Sequence, residues 1–538
     1  MWDSLHSEIA TCKYVINGDK PKEPSLIAFR NIDKALEMLN KHISRRSSIT
    51  IHCDVDMDGI GSGFIMSRFL LRCGLNGKVR YLINKEKVHG IGERHVAYIN
   101  NTDTDLLIVL DSSSNEVEYI KKLNCDALIV DHHEVLHNET FGSTHGGSYV
   151  IISNMVDNSS VEGINEWVIN KKPNNFRKFN KYTVDNRMSC GLVLYELLRV
   201  YQDVFNTSDI LNDDKLAQWV GITLFSDAVE LRTERNLYYI EKTIGTEEIE
   251  PSLQAMMLSI NKYQRSLDKS FINFSLVPLI NKAIRAGESA TALDIVLNRP
   301  QDIKSLAVYG EIQDKVLEIA LRNIEEHGSF VLRNISDTGI NRNYCGVIAT
   351  RLCSERNKNA AVFIVSNGVA EGSFRGRLRA ADYRGYFAGY DSEVYAQGHK
   401  SAFGFRVDEQ ALRDIMRGLQ DVEENIDRRP MLTAGGVPAW IRGKEHIADP
   451  DEMTKFKQAG LLLELAIYNS RVSVDEAIPI ITVGTEATFV EQVGKVYKYD
   501  ILGLNCTAFE VLQSGFIEVL PEYNNREVKL YAKNLNYI

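Results

Sequence analysis

Short β-like runs and helical runs alternate along the first part of the chain. Residues 25–45 carry apolar positions at helical spacing and predict an amphipathic helix. Ile49-Thr50-Ile51-His52-Cys53-Asp54 then alternates with period two, as a strand does. Gly59-Ile60-Gly61-Ser62-Gly63 opens a helix that continues from Phe64 to Leu71. Tyr81-Leu82-Ile83, Leu106 to Asp111, and Ala127 to Asp131 read as further strands. Strands alternating with helices imply βαβ units and a parallel sheet.

Helices are expected over 186–202 and 214–225, with a helical region to about residue 298. Residues 302–327 predict one long connecting helix, with Val316, Ile319, Ala320 and Ile324 on a face and His327-Gly328 as its C-cap. A second β-containing domain starts near 329 with Ser329-Phe330-Val331-Leu332, then a helix around Gly346 to Glu355 and a strand from Ala360 to Val365. The chain is strand-rich from Ala477 onward, without internal repeats. The expected fold class is α/β. A parallel-sheet domain with a helical extension covers 1–300, a connecting helix 301–328, a smaller α/β domain 329–425, and a C-terminal region of unassigned function 426–538.

With 538 residues, 44% hydrophobic and 25% charged, the chain is expected to be a soluble protein of several domains. Its eight cysteines form no CxxC pair, which argues for a reducing compartment and against a disulfide framework or zinc ribbon. Met1-Trp2-Asp3-Ser4 lacks the pattern of a signal peptide. No apolar run approaches the roughly 20 residues of a membrane helix. A cytoplasmic protein without membrane contact is expected. The net charge of −10 does not advertise a nucleic-acid binder, although an acidic metal site would itself contribute to it. Arg375-Gly376-Arg377-Leu378-Arg379, and Lys171-Lys172 with Arg177-Lys178 and Lys181, are local basic stretches. Such runs are ordinarily solvated faces; the second is a minor candidate for substrate contact.

In parallel α/β sheets ligands bind beyond the carboxyl ends of the strands. The acidic clusters fall there: Asp54, Asp56 and Asp58; Asp111; and Asp131-His132-His133. Asp227, in Leu224-Phe225-Ser226-Asp227-Ala228, is a fourth candidate. Carboxylates so dense repel one another unless a cation lies among them. Their oxygens are hard donors suited to Mg2+ or Mn2+, and imidazole tilts the choice toward Mn2+. Two ions roughly 3.5–4 Å apart could clamp a phosphodiester for in-line attack. A calcium loop counted from Asp54 would need glutamate at its twelfth position, where Ile65 stands.

With these clusters in this order, the chain resembles the DHH phosphoesterase superfamily, named for the motif that is here Asp131-His132-His133. The resemblance implies two divalent cations, Mn2+ or Mg2+, ligated by Asp54, Asp56, Asp58, Asp111, His132 and Asp227. It implies catalytic roles for His133, either supporting the metal ligands or facing the scissile phosphate, and for Asp131, orienting or supporting the site. For His52, ligation and a hydrogen-bonded strand position stay equally open. Gln397-Gly398-His399 resembles the G-G-H signature of the DHHA1 domain, with Gln397 in place of the first glycine. Gly372-Ser373-Phe374-Arg375 resembles that domain's G-S-x-R strand. These motifs imply substrate contacts from Ser373, Arg375, Gly398 and His399.

Within the superfamily the chain is most similar to RecJ-type exonucleases. Phe274 to Arg285 resembles a P-x-I-N-A-x-G-R segment: Pro278, Ile280, Asn281 and Arg285 match, while Lys282 and Ile284 depart. Asn281 and Arg285 join the implied substrate contacts. Gly346-Val347-Ile348-Ala349-Thr350-Arg351-Leu352 resembles the G-I-V-A-S-R-L helix, and the chain continues well past DHHA1. The resemblance covers roughly residues 49–410. It implies a metal-dependent 5′ to 3′ exonuclease that releases 5′-mononucleotides, in DNA repair, recombination or replication. The implied substrate is single-stranded nucleic acid, DNA favoured, with a single-strand-binding protein as a partner by analogy. Two alternatives stay open: a nanoRNase or cyclic-dinucleotide phosphodiesterase, separable by dinucleotide turnover, and a non-enzymatic replication scaffold, which should have lost ligands.

Overall fold

Strands β1 (Ile49–Cys53), β3 (Leu106–Leu110) and β4 (Asp126–Asp131) are buried along their whole length. That is why they read as near-continuous apolar runs. With β2 (Val79–Ile83), β5 (Phe141–Ser143) and β6 (Ser148–Ser153) they form one sheet in the order β2-β1-β3-β4-β6-β5. All its pairs are parallel except the β5–β6 edge. Cys53 pairs with Leu110, and Leu110 with Val130. In this register Asp54, Asp111 and Asp131 emerge side by side at one edge.

The computed structural model describes residues 22–424, apart from 86–87, 159–160, 172–178, 180–183, 186, 208–209, 212–213, 228, 230–232, 245, 247, 265, 378–380 and 392–393. Beyond 424 it describes 437–441, 444–448, 481–485, 488–493, 496–501, 504–508, 512, 515–524 and 527–534. The chain divides into two units, the bulk of one being Thr11–Ala307 and of the other Val308–Tyr523.

In the first unit, helix α1 (Ile32–Arg45) starts later than the expected 25–45, because Asn31 adopts a left-handed conformation, φ 60. Helix α2 (Met57–Arg72) is almost entirely buried. Its Phe64 stacks on Trp219 of α4 (Asp214–Ser226) with ring centroids 4.2 Å apart. Helix α3 (Cys190–Val204) lies between them in sequence and opens with the Ser189 side chain as N-cap. Helix α5 (Val277–Arg285) follows a π-turn at Ile272–Leu276, and Pro278 falls in its first turn, where a missing N–H costs little.

The expected 302–327 helix is corrected. Pro300–Ala307 is a 3-10 turn, α6 runs from Val308 to Ala320, and Glu325–Glu326 is a short strand, β7. Asn323 at φ 53 turns the chain out of the helix before His327. The second unit contains β8 (Phe330–Asn334), β9 (Asn359–Ser366), β10 (Val369–Arg375), β11 (Tyr395–His399) and β12 (Ala402–Asp408). They are ordered β11-β12-β10-β9-β8-β7. Alternation along β9 separates two cores: Ala361 and Phe363 join Phe374, Phe387 and Phe403, while Ala360 and Val362 join Ile348 and Leu352 of α7 (Cys345–Arg356). Toward the C-terminus a hairpin, Val437–Ile441 with Lys444–Ala448, and a six-stranded sheet between Ile481 and Asn534 are described. No helix among the described residues is long and apolar enough to cross a membrane.

Candidate metal centre

The hydrogen-bond ladder extends one residue past the strands. The Asp54 N–H donates to the Leu110 carbonyl at 3.2 Å, and the Asp111 N–H to that of Val130 at 2.9 Å. Asp111 then takes φ 68 and Ser113 φ 74, left-handed conformations that cost about 1–3 kcal/mol each in non-glycine residues. This strained turn aims the Asp111 carboxylate into the centre. Gly59 answers a packing need: a Cβ there would lie 2.6–2.8 Å from the Asp54 backbone. Asp56 caps α2, its Oδ1 accepting the N–H groups of Asp58 and Gly59, each at 3.0 Å. Asp58 is held by the N-terminus of α3: Oδ2 accepts the Cys190 N–H at 2.7 Å and Oδ1 that of Gly191 at 3.0 Å.

The Asp131 carboxylate is taken up by hydrogen bonds. Its Oδ1 accepts from the His132 N–H at 2.8 Å, the His133 N–H at 3.1 Å and His133 Nδ1 at 2.8 Å. Its Oδ2 accepts from the Ser114 N–H at 3.0 Å. Burial opposes this charge, but His133 outweighs it and keeps the carboxyl well below the usual carboxylate range. Burial likewise opposes a charge on His133; Asp131, with Asp227 and Asp54, raises its pKa to about 10. His132 donates from Nδ1 to the Met188 carbonyl at 3.0 Å. Its Nε2 lies 3.2 Å from Asp111 Oδ1, and its Nδ1 3.4 Å from Asp227 Oδ2.

Three sets of ligand atoms lie within 4.8 Å of one another: Asp54, Asp56 and Asp111; Asp111, His132 and His133; and Asp58, His132 and Asp227. The sets share Asp111 and His132, so they form one continuous cluster. Cations suit these residues on two further grounds. Asp54 Oδ1 and Asp111 Oδ1 are buried without a hydrogen-bond donor. In the metal-free protein, burial and then the neighbouring carboxylates push Asp58 and Asp111 well above the ordinary carboxylate range. The donor set of carboxylate oxygens with an imidazole could hold Mn2+ or Mg2+.

A pocket in the same unit is lined by Asp56, Asp58 and Asp227 on one part of its wall and by Asn281, Ile284 and Arg285 of α5 on another. The structure thus brings Asn281 and Arg285 to the acidic cluster. Ser373, Arg375, Gly398 and His399 belong to the second unit. There, a Cβ on Gly346 would lie 3.1 Å from Arg375 Nη2 and 3.6 Å from Ser373 Oγ, so the start of α7 rests against both. Gly398 has φ 131, and a Cβ there would lie 2.9 Å from the Ala402 carbonyl oxygen. Gln397 pairs with Gly404 as an ordinary strand residue, so the motif departs at the position without that constraint. His52 is fully buried in β1; burial, and then His95, lower its pKa to about 3, against a contact with Asn84 that raises it. Lys171 pairs with Glu37 at 3.2 Å, while Lys172, Arg177, Lys178 and Lys181 lie outside the described residues.

Sequence reasoning missed two residues. His89 Nδ1 lies 2.6 Å from Asp54 Oδ2. Arg384 Nη1 donates to the Gly398 carbonyl at 2.9 Å. A signal existed for His89, a histidine beside glycine in the loop after β2, Val88-His89-Gly90-Ile91-Gly92. Arg384 carried none.

Comparison with known proteins accords with this geometry. Residues 48–203 match the family model for the DHH family, N-terminal domain. That stretch resembles a DHH-family N-terminal domain, and across the rest of the chain the likeness is to proteins named as single-strand DNA-specific exonucleases. It is 21% identical over 487 residues to a Bacillus subtilis (strain 168) protein provisionally named SPbeta prophage-derived single-strand DNA-specific exonuclease YorK, covering 82% of this chain and 77% of that protein. It is 20% identical over 419 residues to the single-stranded-DNA-specific exonuclease RecJ of the same organism, where the match covers 74% of this chain but only 48% of the relative. RecJ from Thermus thermophilus, solved with Mn2+, shares the fold with a TM-score of 0.64 at 16% identity, over 100% of this chain and 78% of that one.

Proposed function

We propose that this protein is a metal-dependent exonuclease that degrades single-stranded DNA from the 5′ end and releases 5′-mononucleotides. The observation that carries the reading is the convergence of Asp54, Asp56, Asp58, Asp111, His132 and Asp227 at one sheet edge, with Asn281 and Arg285 on the same pocket as three of them. The relatives named as single-strand DNA-specific exonucleases support the substrate.

Two divalent cations, Mn2+ or Mg2+, held by those six residues would supply a hydroxide at neutral pH and offset charge developing on the phosphate. The protein's own residues do the rest. Arg285 offers a planar fork to a phosphate, and Asn281 a hydrogen bond beside it. Asp131 fixes the His133 ring so that its second nitrogen can face the scissile phosphate. Residues 329–425 act as a DHHA1 substrate-binding domain, with Ser373, Arg375, Gly398 and His399 as phosphate contacts. The enzyme works in the cytoplasm in DNA repair, recombination or replication, on strands that a single-strand-binding protein can present. Turnover of a long single-stranded oligonucleotide, its duplex form and a dinucleotide in Mn2+ tests the reading. The single strand should be cleaved fastest; preference for the dinucleotide would move the assignment to a short-substrate phosphodiesterase.

A further inference from the structure

The loop after β2 is built around one histidine. Asn84 Nδ2 donates to the carbonyls of Val88 at 2.7 Å and Gly90 at 3.1 Å, the residues on either side of His89. Asn84 is fixed in turn by His95 Nε2, 2.6 Å from its Oδ1, and His95 Nδ1 accepts the Gly92 N–H at 2.9 Å. On the far side of the loop the Ile91 N–H donates to Ser113 Oγ at 2.9 Å. Gly90 sits at φ 75, where a Cβ would lie 3.0 Å from Ser113 Oγ and 3.2 Å from Glu116. The product of these contacts is the 2.6 Å bond from His89 Nδ1 to Asp54 Oδ2.

Asp54 is fully buried, but the His89 side chain is 43% exposed. The His133 side chain is 40% exposed, and its ring centroid lies 6.2 Å from that of His89. Each ring engages a buried aspartate through Nδ1, which directs its Nε2 side away from that aspartate.

We propose that His89 is a substrate-contacting residue of this centre, its Nε2 hydrogen-bonding an oxygen of the bound phosphate, and that Asn84 is its positioning residue. The inference rests on the proposed phosphodiesterase reading and adds a contact that reading did not contain. Preorganising one side chain through a supporting shell is what sites that must hold geometry require.

The test uses the full-length Mn2+-loaded protein with wild type, His89→Ala, His89→Gln and Asn84→Ala. The readouts are initial rates on a single-stranded oligonucleotide and the Mn2+-induced rise in Tm. His89→Ala should lower kcat/KM by about 10- to 100-fold while the Mn2+-induced rise persists. Asn84→Ala should fall in the same direction and add less than about twofold when combined with His89→Ala. Rates within about twofold of wild type would overturn the inference. So would loss of the Mn2+-induced rise in His89→Ala, since His89 would then serve only to hold Asp54. If the alanine variant does not fold, His89→Gln decides by the same criteria. A wild type that cleaves no phosphodiester sinks the proposed function together with this inference; an active wild type matched by its variants sinks this inference alone.

Discussion

His132 Nδ1 faces the carbonyl oxygen of Met188 at 3.0 Å, and this contact decides what Asp111 sees. A carbonyl only accepts, so Nδ1 donates there and Nε2 faces Asp111 Oδ1, 3.2 Å away. Either a proton or a metal cation must lie between that nitrogen and the Asp111 oxygen, and a bound metal ion would displace the proton. Mn2+ should therefore raise the Tm of the wild-type protein, by a stabilisation of about 2.7 kcal/mol at a hundredfold excess over Kd. Asp111→Ala should abolish most of that rise. Thermal melts with Mn2+ and with a chelator check it.

The same centre sets a pH dependence. In the metal-free protein Asp58 and Asp111 hold protons at pH values where unfolded aspartates, with pKa about 3.9, have lost them. The native state then binds more protons than the unfolded one, so metal-free stability falls as pH rises from about 4 toward the raised native values. A cation must displace those protons, so apparent Mn2+ affinity rises over the same range and binding releases protons. Calorimetry in buffers of different ionisation enthalpy, at several pH values, measures both.

Gly59→Ala should destabilise the first unit by about 1–3 kcal/mol, because its Cβ would meet the backbone of Asp54 at 2.6–2.8 Å, with no flexible side chain able to yield. Urea unfolding should show the loss, and Mn2+ should stabilise the variant less than wild type, since the displaced residue is itself in the acidic cluster.

Asp126, at the other end of β4, offers a control. Its Oδ2 meets Lys41 Nζ at 2.5 Å and His42 Nε2 at 2.9 Å, and Oδ1 accepts the Ser148 N–H at 2.8 Å. Burial opposes its charge, but these partners hold its pKa well below the carboxylate range. With a depressed native pKa, its contribution is present above the unfolded value of about 3.9 and is lost as pH falls below it. Asp126→Asn should cost about 2 kcal/mol at pH 7, progressively less in acid, and leave the Mn2+-induced rise in Tm unchanged. Denaturant melts at pH 7 and pH 3 check the sign.

What was legible in the sequence follows from which forces act locally. Asp54, Asp111 and Asp131 could be placed because buried parallel strands are continuous apolar runs, and each acid directly follows or ends one. The ends of α1 and α6 were misread because they depend on Asn31 and Asn323 in left-handed conformations, a choice the neighbouring residues do not reveal. The role of Met188 was hidden because a backbone carbonyl has no sequence signature. His89 was missed because its partner, Asp54, lies on another strand end, and its placement depends on Asn84, His95 and Ser113 together. Asn281 and Arg285 were legible through resemblance alone; nothing in their spacing indicated that α5 would reach the acidic pocket.

The most direct measurement is digestion of a 5′-labelled and a 3′-labelled single-stranded oligonucleotide by wild type and Asp111→Ala, with Mn2+ and with chelator. Immediate release of labelled mononucleotide from the 5′ end, and a ladder of shortening from the 3′ label, is expected for Mn2+-loaded wild type only. Equal activity in chelator or in Asp111→Ala would contradict the metal centre, and mononucleotide released first from the 3′ label would contradict the polarity.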